Sequence, residues 1–221
     1  MTAAPIASRR HLTIVLVIAG VIALAGMQQA SALAGAKPAS RAVPYLIAIA
    51  LQLAWARYIQ MGMRRYGRSV REFFADATGL RGAAIDAVAV VIGFVFARFA
   101  AIEIRAWLSG PPANTAFLLP HGQVESILWV ALSVAAGVCE EIVFRAYLQR
   151  QFAALTGNVA LGILLQALVF GVSHGYQGPV SILSTGGYGL VLGLIAWQRG
   201  NIRACAIIHA TTDIVGGLLR A

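Results

Sequence analysis

The stretch GVCEEIVFRAY, Gly137–Tyr147, sets two glutamates and an arginine within six residues of each other inside an otherwise apolar run. That run extends from about residue 125 to 152. A hydrocarbon core of roughly 30 Å takes about 20 helical residues to cross, so the run is long enough to span a membrane. A charged side chain at bilayer depth costs about 2.5–3.5 kcal/mol on insertion scales. Such groups therefore face a bundle interior or a wet cavity, and they mark functional sites.

Outward from this run, the same apolar texture repeats. The chain has 221 residues, 59% hydrophobic and only 11% charged, too apolar for an ordinary soluble domain. The runs are continuous rather than alternating, which selects helices over a barrel among the structures that satisfy their backbone in lipid. Spans are expected at about 12–35, 43–63, 82–107, 125–152, 158–174, 178–198 and 201–219. The expected fold is all-α: a polytopic transmembrane helical bundle of about seven spans. Residues 64–81, RRYGRSVREFFADATGLR, read as a short interfacial helix between the second and third spans. The loop SGPPANTAFLLPHG, 109–122, carries prolines and glycines and no formal charge.

The formal net charge is +9. Arginines at span ends explain it as a topology signal, and no nucleic-acid partner is expected. With Arg9 and Arg10 in the cytoplasm, Arg64, Arg65, Arg68, Arg71, Arg81, Arg150, Arg199 and Arg203 also fall inside. Lys37, Arg41 and Arg220 fall on the far side. That layout leaves His174 near the outer face while Glu140 and His209 lie nearer the middle. It therefore demands a shifted helix boundary or a tilted or re-entrant fifth span. The first span, with its basic start and the small residues around Ala30–Ala36, also has the form of a cleavable signal peptide. Cys139 and Cys205 sit in apolar runs and read as small buried residues rather than a disulfide.

Glu140, Glu141, Asp213, His174 and His209 lie deep in the late spans. Glu141 and Arg145, four apart, share a helix face and can pair. Glu140 is turned about 100° from Glu141 and can point elsewhere. His209 and Asp213, and likewise Phe170 and His174, repeat the spacing of four. Glutamate, two histidines and a second carboxylate suit a divalent metal, zinc above others, which would make a bound water nucleophilic. Without a metal, a desolvated Glu140 can act as general base on water, with His174 orienting it and His209 and Asp213 steadying an oxyanion. Blander readings stand beside these. Glu141–Arg145 also reads as a structural ion pair, His209–Asp213 as the proton relay of a transporter, and Gly189 and Gly193 as a close helix contact.

EEIVFR resembles the EExxxR motif, FGVSH the FxxxH motif and HATTD the Hxxx(N/D) motif of the CPBP intramembrane proteases, the CAAX prenyl protease 2-like or Abi family. The resemblance covers about residues 125–217, with the motifs in order in three late helices. It implies an integral membrane endopeptidase with a catalytic helical core over 125–221, preceded by N-terminal transmembrane helices and the interfacial segment over 1–124. By family analogy Glu140 activates water with His174 as its partner, His209 and Asp213 form a second pair for metal or oxyanion, and Glu141 and Arg145 support the site. The last motif ends here in Asp213, where the family pattern often has Asn; a carboxylate is the better metal ligand and the poorer donor. The expected cofactor is a divalent metal such as zinc, held by Glu140, His174, His209 and Asp213, or none if glutamate-activated water suffices. The expected partners are the lipid bilayer and a membrane-associated peptide or protein substrate, lipidated and CAAX-like or bacteriocin-like. The short, Ala- and Arg-rich chain reads as a multi-pass protein of a bacterial plasma membrane with a cytoplasmic N-terminus. A proton-coupled transporter and a non-catalytic membrane scaffold are the alternatives, though no inverted repeat supports a transporter.

Overall fold

A computed structural model describes residues 4–32, 40–75, 79–107 and 116–219. Lys37, Arg220 and the small residues at 33–36, used above for topology and signal cleavage, lie outside them. Among the described residues there is no strand, and the α-helices form seven rods. These are α1 (Arg9–Ala32), α2 (Ala42–Arg64), α3 (Gly79–Trp107), a long rod, α6 (Val159–Ser173), α7 (Pro179–Arg199) and α8 (Arg203–Leu218). The long rod is α4 (Gly122–Glu141) followed by a π-helical turn (Ile142–Leu148) and α5 (Gln149–Thr156). Five rods are long and apolar enough to cross a membrane; α6 and α8, at 15 and 16 residues, are shorter. Leu24, Val43, Leu51, Val91, Ile127, Leu168 and Trp197 stand exposed on the outside of the bundle, where a lipid-facing surface needs apolar side chains. This is a multi-pass helical membrane protein.

The core centres on the π-helical turn, every residue of which is buried. Val143, Phe144, Tyr147 and Leu148 meet Ile59 and Met63 of α2, Phe170 of α6, Leu192 of α7 and Ile208 of α8 there. The first span is part of the same core through Ile6, Ala7, Leu12 and Val15. Its leading segment is clamped by the fully buried Gln151, whose Oε1 accepts from the Ile6 and Ala7 N–H groups (2.9 and 3.2 Å) and whose Nε2 donates to the Ala7 carbonyl at 2.8 Å. Removing this span would strip the core of those side chains.

The length of α6 resolves the depth of His174. Gly157, at φ 68°, turns the chain, and Asn158 caps α6 by accepting from the Ala160 and Leu161 N–H groups. Glu140 and His174 each lie seventeen residues from Gly157, so the antiparallel hairpin brings them to one level. Because α6 rises only about 1.5 Å per residue over 15 residues, it stops short of a full crossing. His174 therefore ends a short span inside the bundle instead of reaching the far face.

Among the described residues of 64–81, no separate interfacial α-helix lies between α2 and α3. Gly67, at φ 70°, ends α2, and only one 3-10 turn, Val70–Phe73, follows. Ser69 and Glu72 close that turn with a reciprocal capping box. Phe73 plunges inward, 2% exposed, beneath the guanidinium of Arg150 at 4.5 Å, and its carbonyl accepts from the Ile202 N–H at 2.8 Å. An aromatic anchored so soon after the cap leaves no room for an amphipathic helix to lie flat.

Candidate active site

Glycines set the helix spacing on which the polar residues depend. A Cβ on Gly137 of α4 would sit 2.7 Å from the Ala206 carbonyl oxygen and the Ala210 nitrogen of α8. A Cβ on Gly171 of α6 would meet the Ile182 carbonyl of α7 at 2.5 Å. Backbones this close let short polar side chains bridge helices. Gly189 and Gly193 of α7 play the same part toward α6 and the long rod. The Gly189 carbonyl accepts from Arg145 (3.2 Å) and Gln166 (2.9 Å), and the Gly193 carbonyl from Gln149 (3.0 Å).

Glu140 and Glu141 point to different places, as their 100° separation requires. Glu141 is fully buried, and its Oε1 accepts from Arg145 Nη1 at 2.7 Å and from His209 Nδ1 at 2.8 Å. Arg145, also fully buried, lies over the Phe170 ring at 4.5 Å. A carboxylate only accepts, so the contact with Glu141 puts the proton of His209 on Nδ1 and turns Nε2 outward. That Nε2 lies 3.9 Å from Glu140 Oε2 and 3.7 Å from Asp213 Oδ2. His174 is arranged alike: Nδ1 is 2.8 Å from the Phe170 carbonyl, which also only accepts, and Nε2 is 3.8 Å from Glu140 Oε2. Glu140 Oε1 accepts from Gln52 Nε2 at 3.3 Å, while Oε2 is enclosed and has no hydrogen-bond partner in the protein.

Four of these ionisable groups line one cavity of about 430 Å³. Glu140, His174, His209 and Asp213 form its polar wall, and Gln52, Tyr188 and Thr212 also face it. Leu118, Leu119, Trp129 and Leu132 make much of the rest apolar. Arg150 lies ten residues beyond Glu140 at the arginine-rich end of the bundle. The carboxylate is thus roughly 12–15 Å from that end, at membrane depth.

Residues 122–215 match the family model described as type II CAAX prenyl endopeptidase Rce1-like. The match supports the CPBP, or CAAX prenyl protease 2-like, family for this segment. No curated protein and no solved structure matches the chain. The matched segment holds the long rod, α6, α7 and most of α8, and so every residue of the polar wall except Gln52, which comes from α2.

The donors of this site decide whether it fits a metal. Two imidazole Nε2 atoms, each with Nδ1 tied to an acceptor, and two carboxylates are the donor types zinc takes. A tetrahedral shell with bonds of 2.0–2.1 Å holds its donors about 3.3–3.4 Å apart. The separations here are 3.7–3.9 Å, and the described residues contain no group of three ligating side chains set for an ion. The donor chemistry suits a metal; the spacing does not close a shell around one.

Sequence reading did not single out Gln52, Tyr188 or Asp86. Gln52 is a lone amide in the apolar run AIALQLAWA, and that isolation is the signal by which it could have been found. Asp86, 6% exposed on α3, binds Arg199 Nε at 2.7 Å and Arg203 Nε at 2.9 Å, tying α3 to the facing ends of α7 and α8. Cys139 and Cys205 are both free and buried.

Proposed function

We propose that this protein hydrolyses a peptide bond of a membrane-associated substrate with a water activated by Glu140 and His174. The observation that carries the reading is Glu140 Oε2: enclosed, unpartnered, and 3.8–3.9 Å from two imidazole Nε2 atoms. Polar contacts of that length are the span a bridging water covers. A water between Glu140 Oε2 and His174 Nε2 gives one proton to each as hydrogen bonds. On attack, its oxygen bonds to the scissile carbonyl carbon, Glu140 takes one proton, and the carbonyl electron pair moves to oxygen. When the tetrahedral species collapses, the C–N bond breaks and Glu140 returns the proton to the departing amine.

Glu141 and Arg145 hold His209 in place, and His209 and Asp213 border the side where the oxyanion forms. If a divalent ion binds, Glu140, His174, His209 and Asp213 would hold it, and it would supply Lewis-acid polarisation. The apolar walls beside the polar ones suit an extended peptide with an apolar or lipidated flank, of CAAX-like or bacteriocin-like kind. The arginine-rich end, carrying Arg64, Arg65, Arg68, Arg71 and Arg150, faces the cytoplasm of a bacterial plasma membrane.

The test is Glu140→Gln in purified protein against fluorogenic peptides with and without a prenyl group. The amide keeps the shape and the Gln52 contact but cannot take a proton. Cleavage should fall by at least roughly 100-fold while the unfolding midpoint stays put. Wild-type cleavage rates in Glu140→Gln would remove Glu140 as the base.

A further inference from the structure

The cavity wall is rich in acceptors around Glu140. Both histidines turn Nε2 toward it, and Glu140 and Asp213 present carboxylate oxygens. The tetrahedral species of peptide hydrolysis carries a negative oxygen and is stabilised by donors aimed at that oxygen. Asp213 stands where the family motif often has Asn, so the amide donor of that pattern is absent from this chain. Several nearby donors are committed, though Ser133 Oγ on the same wall has no hydrogen-bond partner. Thr212 Oγ1 donates to the Ile208 carbonyl at 2.7 Å, Trp129 Nε1 to the Asp213 carbonyl at 3.0 Å, and Gln52 Nε2 to Glu140 itself.

Tyr188 differs. It projects from α7 into the same cavity, with its ring edge-on to His209 at 5.8 Å and 90°, and 6.4 Å from the Phe170 ring. Its hydroxyl meets Thr212 Oγ1 at 3.4 Å, at the outer limit of a hydrogen bond. The ring is held while the O–H is only loosely engaged, so the proton can turn to a better acceptor at little cost.

We infer that Tyr188 is a further catalytic residue, whose phenolic O–H donates to the oxyanion of the tetrahedral species in place of the missing amide. This rests on the peptidase reading above. It adds no proton transfer: the hydroxyl donates a hydrogen bond and keeps its proton.

The contrasting role is a structural contact between α7 and α8, and two variants separate the roles. Tyr188→Phe removes the donor and the contact; Thr212→Val removes the contact and leaves the donor. Wild type, Glu140→Gln and both variants are assayed on one peptide, alongside inhibition by the matching peptide aldehyde, whose hydrate mimics the tetrahedral species, and by the peptide alcohol. Tyr188→Phe should lower kcat about 100-fold with KM within about twofold, and weaken the aldehyde but not the alcohol, while Thr212→Val keeps kcat within about threefold. Equal losses in both variants, or unchanged kcat and aldehyde inhibition in Tyr188→Phe, would overturn the inference. If wild type itself fails to cleave, or Glu140→Gln cleaves as well as wild type, the peptidase reading falls first and takes this inference with it.

Discussion

Replacing Glu141 and Arg145 singly and together should separate stability from activity. The two side chains are fully buried, and their charged atoms are 2.7 Å apart. At an effective dielectric near 20 their attraction is about 6 kcal/mol before desolvation. Desolvating both ions offsets most of that, so the pair's net worth is small, while breaking it is costly. Glu141→Leu leaves the Arg145 charge enclosed with only the Gly189 carbonyl as acceptor, and should cost about 3–5 kcal/mol. Arg145→Met should cost less, about 2–3 kcal/mol, because His209 Nδ1 still donates to Glu141. The double variant Glu141→Leu/Arg145→Met should recover to within about 3 kcal/mol of wild type, the remainder being the stranded His209 Nδ1–H, giving a coupling of at least roughly 2 kcal/mol. Its activity should nonetheless stay down by roughly 10- to 100-fold, since His209 has lost the acceptor that fixes its tautomer and orientation. Denaturant unfolding in detergent, followed by circular dichroism, measures the first quantity, and peptide cleavage the second. A double variant no more stable than Glu141→Leu would refute the charge-compensation argument. One with wild-type cleavage would refute the role of Glu141 in positioning His209.

Gly137→Ala should open the α4–α8 contact, because its Cβ would stand 2.7 Å from backbone atoms that cannot give way. A cost of about 1–3 kcal/mol is expected, with a larger proportional loss of cleavage as Glu141 and His209 separate; unchanged activity in a variant destabilised by that amount would show that the 2.8 Å contact is dispensable. On donor separations of 3.7–3.9 Å, cleavage is expected to survive chelator dialysis that leaves no stoichiometric metal by elemental analysis. Loss of activity restored by one equivalent of zinc would instead show that the four donors close by about half an ångström around an ion.

Much of this protein was legible along the chain because the governing lengths are local. Bilayer thickness and the 1.5 Å helical rise delimit the spans, and the 3.6-residue turn pairs Glu141 with Arg145 and swings Glu140 away. The same repeat stacks Phe170 under His174, whose rings lie 4.6 Å apart. What lay beyond reach depends on how far one helix slides and how closely it approaches another. Glu141 meets His209 across 68 residues only because Gly137 lets two backbones touch. The single 3-10 turn after α2 follows from Phe73 finding a place beneath Arg150. Gln52 and Tyr188 reach the cavity from α2 and α7, at no fixed spacing from any motif. Periodicity determined which face of each helix is polar; packing decided which faces meet, because interhelical register is set by side chains and glycines on separate strands of the chain's path and by no repeat within any one of them.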